Sequence, residues 1–104
     1  MRITWSRPAV TSLQAIHDYI SRDAPGRADR FVQQLIAAPE PLADFPRMGR
    51  VVPEGDGRQR ELAFDPYRII YRIEDDEIYI VTVVHGARNL VALWEQPDPE
   101  DLPS

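Results

Sequence analysis

"DPYRIIYRIEDDEIYIVTVVHGAR", residues 65–88, reads as two strands joined by an acidic turn. Successive strand side chains point to opposite faces. Over residues 67–73, Tyr67, Ile69, Tyr71 and Ile73 therefore share one face, and Arg68, Ile70 and Arg72 share the other. The first set suits a face packed under helices. The second puts two guanidinium groups on the far face. Residues 78–84 (IYIVTVV) are apolar on both faces, as a central strand would be. Glu74-Asp75-Asp76-Glu77 reads as a solvated hairpin turn, although it lacks the glycine such turns favour. Gly86 marks a bulge or bend after the second strand.

Upstream, residues 2–5 (RITW) read as a first strand, with β-branched and aromatic side chains. Ser6 can cap a helix that carries Pro8 in its first turn, where a missing N–H costs little. Val10, Leu13, Ile16, His17 and Ile20 then recur at helical spacing, to an end near Arg22. Asp23-Ala24-Pro25-Gly26 is a break, and Pro25 opens a second helix striped by Ala28, Phe31, Val32, Leu35 and Ile36. So short a link predicts an antiparallel helix hairpin. Pro39 and Pro41 predict a break near Ala38, because proline removes a helical donor and clashes with the preceding turn. A short helical turn can resume through Leu42 and Phe45. Residues 46–57, with three Gly and two Pro, read as a loop. Residues 58–64 (RQRELAF) read as a strand ending at the Asp65-Pro66 turn. Val91 to Trp94 can add a strand end or a helical turn. The tail, residues 95–104, has three prolines and four acids and is expected to be disordered.

The predicted order is β-α-α-β-β-β: an α+β, two-layer domain over residues 1–94, with a helix hairpin packed on a mostly antiparallel sheet. One sheet face would be covered by the helices and the other left open for partners.

Composition narrows the function. The chain has 104 residues, enough for one small domain, and 43% are hydrophobic. No apolar run approaches the ~20 residues of a membrane helix, and the N-terminus lacks signal-peptide features. There is no cysteine, which excludes disulfides, thiolate metal sites and a cysteine nucleophile, and fits a reducing cytoplasm. The net charge of −5 argues against direct life on nucleic acid, whose phosphates supply most non-specific affinity to basic proteins. All twelve basic residues are Arg. Any cationic site must then be a planar fork suited to carboxylate or phosphate, with no amine available as a base. His17 and His85 lack ligand spacing, so neither metal nor cofactor is expected. His17 fits a partly buried structural role on its helix, and His85 a hydrogen-bonded strand end. Trp5 and Trp94 fit core or rim positions.

Spacing leaves two readings of the strand arginines. They are either solvated side chains paired with Glu61, Asp65 or Glu74, or a cluster for an anionic partner. Arg58 and Arg60 could stand beside Arg68 and Arg72, but the parity of their strand is ambiguous, and Glu61 and Ala63 could face that way instead. Arg88, past Gly86, could join the cluster.

The opening RITWSRPAV, "ADRFVQQL" in the second helix, "FPRMGRVVPE" in the loop, "REL", "YRIIYRI" and "VVHGARN" together resemble the ParE/RelE toxin superfamily of type II toxin–antitoxin systems. The order and spacing cover residues 1 to about 94 and look most like the ParE branch. Pro39 and Pro41 depart from the pattern, in which that stretch is continuous helix. The resemblance implies the β-α-α-β-β-β fold and a ribbon-helix-helix, ParD-like antitoxin that wraps the toxin and alone contacts operator DNA. It also implies one of two targets: ParE-type toxins poison DNA gyrase, and RelE-type toxins cut mRNA in the ribosomal A site.

Ribonuclease chemistry needs a base, an acid and cations on the developing phosphorane charge. Arg68 and Arg88 match arginines of the RelE-type site by position. Gln59 and Glu61 stand near the positions of its lysines, and no tyrosine follows Tyr79. His85 with Glu61 could replace the missing acid and base. The expectation is a non-enzymatic, cytoplasmic ParE-type toxin that inhibits gyrase and uses Arg60, Arg68, Arg72 and Arg88 to bind target or antitoxin. The alternatives are an mRNA interferase with Glu61, Arg68, His85 and Arg88 at its site, or an inactive relic serving as an antitoxin-binding co-repressor.

Overall fold

The computed structural model describes residues 1–86. Within them β1 (Arg2–Trp5) leads into α1 (Arg7–Ser21) and α2 (Pro25–Ala37), followed by a 3₁₀ turn at Glu40–Ala43. Four strands complete the order: β2 (Arg50–Val51), β3 (Gln59–Phe64), β4 (Tyr67–Glu74) and β5 (Glu77–His85). They form one sheet in the order β1-β5-β4-β3-β2, with β1 parallel to β5 and every other pair antiparallel. The predicted two-layer α+β architecture is observed. The positions expected for Arg88, for residues 91–94 and for the acidic tail lie outside the described residues.

Ser6 starts α1 and also ties it to the sheet. Its hydroxyl accepts the Ala9 N–H at 3.1 Å and donates to the Val81 carbonyl at 2.7 Å. The β4–β5 register shifts at this point: Ile70 pairs with Thr82 and Tyr71 with Ile80, which leaves Val81 as the bulged residue. The helix cap and the bulge thus satisfy one another's polar groups. Pro25 begins α2, and the helix stops at Ala37 before Pro39, as the proline spacing requires. Asp75 supplies the hairpin turn with φ 51°, a left-handed conformation that aspartate tolerates better than most residues. This explains how EDDE turns without glycine.

Ala9, Leu13 and Ile16 of α1 and Leu35 of α2 pack on Ile69, Tyr71, Ile78, Ile80 and Val83, with Leu42 of the 3₁₀ turn closing one end. Strand β5 lies between β1 and β4, which explains its two apolar faces, while β4 is the middle strand. No helix among the described residues is long and apolar enough to cross a membrane.

Two expectations are corrected. The 46–57 segment is not wholly loop, because Arg50 and Val51 pair with Glu61 and Arg60 as a short edge strand. Nor is the far sheet face bare. Val52 turns onto it, its N–H donating to the Gln59 carbonyl at 2.9 Å, and packs with Ile70 and Val84 in a second apolar cluster. Alternation placed Ile70 on that face. It could not show that a segment distant in sequence folds back over it.

Candidate functional site

Pairing across β3 and β4 resolves the ambiguous parity. Gln59, Glu61 and Ala63 stand opposite Arg72, Ile70 and Arg68, on the face away from the helices. Leu62 and Phe64 pack toward the helices, and Arg60 alternates with them. Arg60 therefore does not join Arg68. Its guanidinium reaches the Gly49 carbonyl at 2.8 Å and the Arg47 carbonyl at 3.4 Å, pinning the loop before β2.

Arg68 sits in an ion network. Its guanidinium donates to Glu61 Oε2 at 2.9 Å and to Glu54 Oε2 at 3.0 Å, while the Arg50 Nε–H donates to Glu61 Oε1. The Arg68 side chain is 12% exposed and that of Glu61 is 3%. The Glu54 hydrogen bond raises the Arg68 pKa further, with both carboxylates acting against desolvation. Such a fork-to-carboxylate arrangement is strong when desolvated, and removing one partner strands the other. Spacing offers Glu61 as a partner of Arg68. It offers neither Glu54 nor Arg50, because both arrive through the fold-back of a loop that has no periodicity to read.

Arg72 stands at the other end of β4. Its Nε lies 2.7 Å from Glu74 Oε1, an ion-pair contact rather than an aligned hydrogen bond, and its Cζ lies 4.8 Å from the centroid of the Tyr79 ring. It is about one-third exposed. His85 ends β5 opposite Tyr67, and its ring meets the Tyr67 ring edge-on at 5.9 Å. Tyr67 in turn packs against Phe31 of α2. His85 is thus on the helix side, and Glu61 on the far side. The structure does not bring this acid–base pair together. Arg88 lies outside the described residues.

His17 bridges the two helices, its Nε2 lying 2.6 Å from Asp29 Oδ1. That hydrogen bond raises its pKa above the ordinary value. Among the described residues no group of three His, Cys, Asp or Glu could hold a metal ion.

The FPRMGR segment is built around a buried tyrosine. Tyr71 is fully buried, and its hydroxyl donates to the Pro46 carbonyl at 2.8 Å while accepting the Gly49 N–H at 2.9 Å. Burial pushes the phenol pKa up. A Cβ at Gly49 would meet the Tyr71 hydroxyl and the Glu61 carbonyl at 2.6 Å, so only glycine fits this approach. An apolar groove marks the helix layer. It has about 310 Å³ and runs between α1 and α2, lined by Val10, Leu13, His17, Val32 and Ile36 among others.

Residues 3–90 match the model of the ParE toxin of the type II toxin–antitoxin system parDE. The toxin RelE2 of Caulobacter vibrioides is 35% identical over 88 residues, 84% of this chain and 97% of the relative. Among solved structures, the chromosomal ParDE system of P. aeruginosa superposes with a TM-score of 0.73 at 26% identity, covering 82% of this chain and 95% of that one. The toxin–antitoxin complex RelBE2 of Mycobacterium tuberculosis shares the fold, with a TM-score of 0.58 at 20% identity over 81% of this chain and 95% of that one. A helix hairpin on a five-stranded sheet, the YRIIY strand anchoring FPRMGR, and a family match across nearly the whole chain agree: the protein belongs to the ParE/RelE toxin family of type II toxin–antitoxin systems.

Proposed function

We propose that this toxin acts in the cytoplasm without catalysing a reaction, by inhibiting DNA gyrase, and that a ribbon-helix-helix, ParD-like antitoxin neutralises it and links it to operator DNA. The observation that carries the non-enzymatic reading is the ion network. Arg68, the strand cation an interferase would turn toward the scissile phosphate, donates to Glu61 and Glu54. Glu61 is nearly buried and already accepts from two arginines. A carboxylate so engaged is poorly placed to take a proton from a 2′-hydroxyl. His85 lies across the sheet from it, and the chain has no lysine. The ParE family model and the ParDE structural neighbour support the same branch. An antitoxin partner is supported by the neighbours, which are toxin–antitoxin systems. In this reading Arg72 and Arg88 contact target or antitoxin, while Arg60 and Arg68 hold the 46–57 segment in place.

The interferase reading has one observation in its favour, the name RelE2 of the curated relative. Purified protein separates the two. Inhibition of gyrase supercoiling is expected, with ribosome-bound transcripts left intact. Normal supercoiling beside transcript cleavage in the A site would overturn the proposal.

A further inference from the structure

Phe45 and Met48 are large apolar side chains left 66% and 51% exposed. They line an open groove of about 570 Å³ together with Asp44, Pro46 and Arg47. Met1, itself 45% exposed, is anchored beside the groove, its amino group donating to the Ala43 carbonyl at 2.9 Å. Surface apolar residues are ordinary when scattered, but a group of them at one groove marks a contact surface. The backbone here is held from inside. Tyr71 grips Pro46 and Gly49, Arg60 grips Gly49 and Arg47, and the Met48 N–H closes a turn onto the Phe45 carbonyl at 3.1 Å. A surface fixed in this way loses little freedom on association.

Charge selects the occupant. Asp44 and Arg47 are both exposed, and both line the groove. Among the described residues neither forms an ion pair, with the other or with any neighbour. The groove is therefore electrically balanced, with one charge of each sign left unmatched. A wholly acidic or wholly basic partner would bring a like charge to one of them. A partner with an acid and a base flanking apolar side chains matches both, and a second copy of this chain is such a partner. In a two-fold pairing one patch faces itself, so a contact from one residue to another is repeated in reverse. Elsewhere the net charge of −5 makes two copies repel, and a balanced patch is where they approach at least cost. We infer that the chain self-associates through the Asp44–Met48 turn as a two-fold dimer. Asp44 meets the partner's Arg47 twice over, around a centre of Phe45 and Met48 from both copies. One turn presents far less than the roughly 800 Å² per partner of a standard interface, which suits a weak, reversible dimer. The inference goes beyond the toxin–antitoxin reading and does not depend on the target.

Sedimentation velocity of the full chain tests this, over a concentration series reaching about 1 mM, the range of weak complexes. A monomer–dimer equilibrium is expected for the wild type. D44R and R47D each turn both cross-pairs into like-charge contacts and should weaken self-association about tenfold or more at low salt. Mixed in equal amounts, the two variants should regain it, since in the mixed dimer every reversed charge again faces its opposite. The double variant D44R/R47D repeats that rescue within one chain. F45S/M48S should also weaken the dimer, on the order of 10- to 100-fold, as for loss of a central apolar anchor. All these changes are at exposed side chains, and an unchanged melting temperature verifies the fold. A wild type that stays monomeric throughout overturns the inference. So do single reversals that dimerise as the wild type does, which would place the interface elsewhere. Failure of both the mixture and the double variant to regain the dimer overturns the two-fold pairing of Asp44 with Arg47.

Discussion

The Arg68 guanidinium and the Glu61 carboxylate meet at 2.9 Å on the sheet face opposite the helices, both nearly sealed from solvent. Glu54 closes the pair from the 46–57 segment, and Arg50 closes it from the edge strand. The strand arginine that looks like a ligand for a foreign anion already has anions of its own. E61A leaves Arg68 facing a cavity with one carboxylate fewer. It should destabilise the fold by about 3–5 kcal/mol, the usual cost of breaking a buried pair. The double variant E61L/R68M should lose much less than the sum of its single changes. Urea denaturation of the wild type, E61L, R68M and the double variant checks this, and strictly additive effects would refute the coupling.

Tyr71 offers a second test. Its hydroxyl bonds to both the Pro46 carbonyl and the Gly49 N–H, so Y71F leaves one half-buried and one buried backbone group without that partner. A loss of about 1–3 kcal/mol is expected. G49A should cost more, because its methyl carbon has no room beside the Tyr71 hydroxyl. Equal stability of G49A and wild type would show that the loop is not held as described.

The phenol also makes stability depend on pH. The folded pKa of Tyr71 is raised above 10.0, so its contribution is fully present below that value and is lost as pH rises through the folded pKa. The denaturation midpoint of the wild type should fall above about pH 10. Tyr67 is shifted upward too, chiefly by burial, so Y71F should remove part of that decline and not all of it.

His17 works in the opposite part of the pH range. Its pKa is raised above 6.5, first by the Asp29 hydrogen bond. Its contribution is complete below pH 6.5 and fades as pH climbs through the folded value. An NMR titration should place the His17 midpoint above 6.5 in the wild type and lower in D29N. An unchanged midpoint in D29N would remove the helix-to-helix bridge from this account.

Ser6 joins a helix cap to a bulge. S6A should cost about 1 kcal/mol for the cap alone. The cost should exceed that, because the Val81 carbonyl also loses its donor. A comparison with S6G, which usually spares most of the cap penalty, isolates the share owed to the sheet.

Much of the fold was legible because it is written in local periods. The 3.6-residue stripes of α1 and α2, the alternation in β4 and the prolines at 39 and 41 each constrain only their own neighbours. They place Tyr71 and Ile69 under the helices and Arg68 on the far side without any knowledge of contacts. The short strand β2 escaped this reading, since two residues between glycines and prolines have no period.

The sequence by itself determined the layer architecture, the direction in which Arg68 points and the guanidinium character of any cationic site, because each follows from backbone geometry and residue type. Only the tertiary structure decided what Arg68 meets. Glu54 and Arg50 reach it through the return of the 46–57 segment, which Tyr71, Gly49 and Arg60 secure from within. The same return covers Ile70 with Val52 and exposes Phe45 and Met48. Contacts between residues distant along the chain depend on the path of a loop, and that path is fixed by hydrogen bonds to the core that no local pattern encodes.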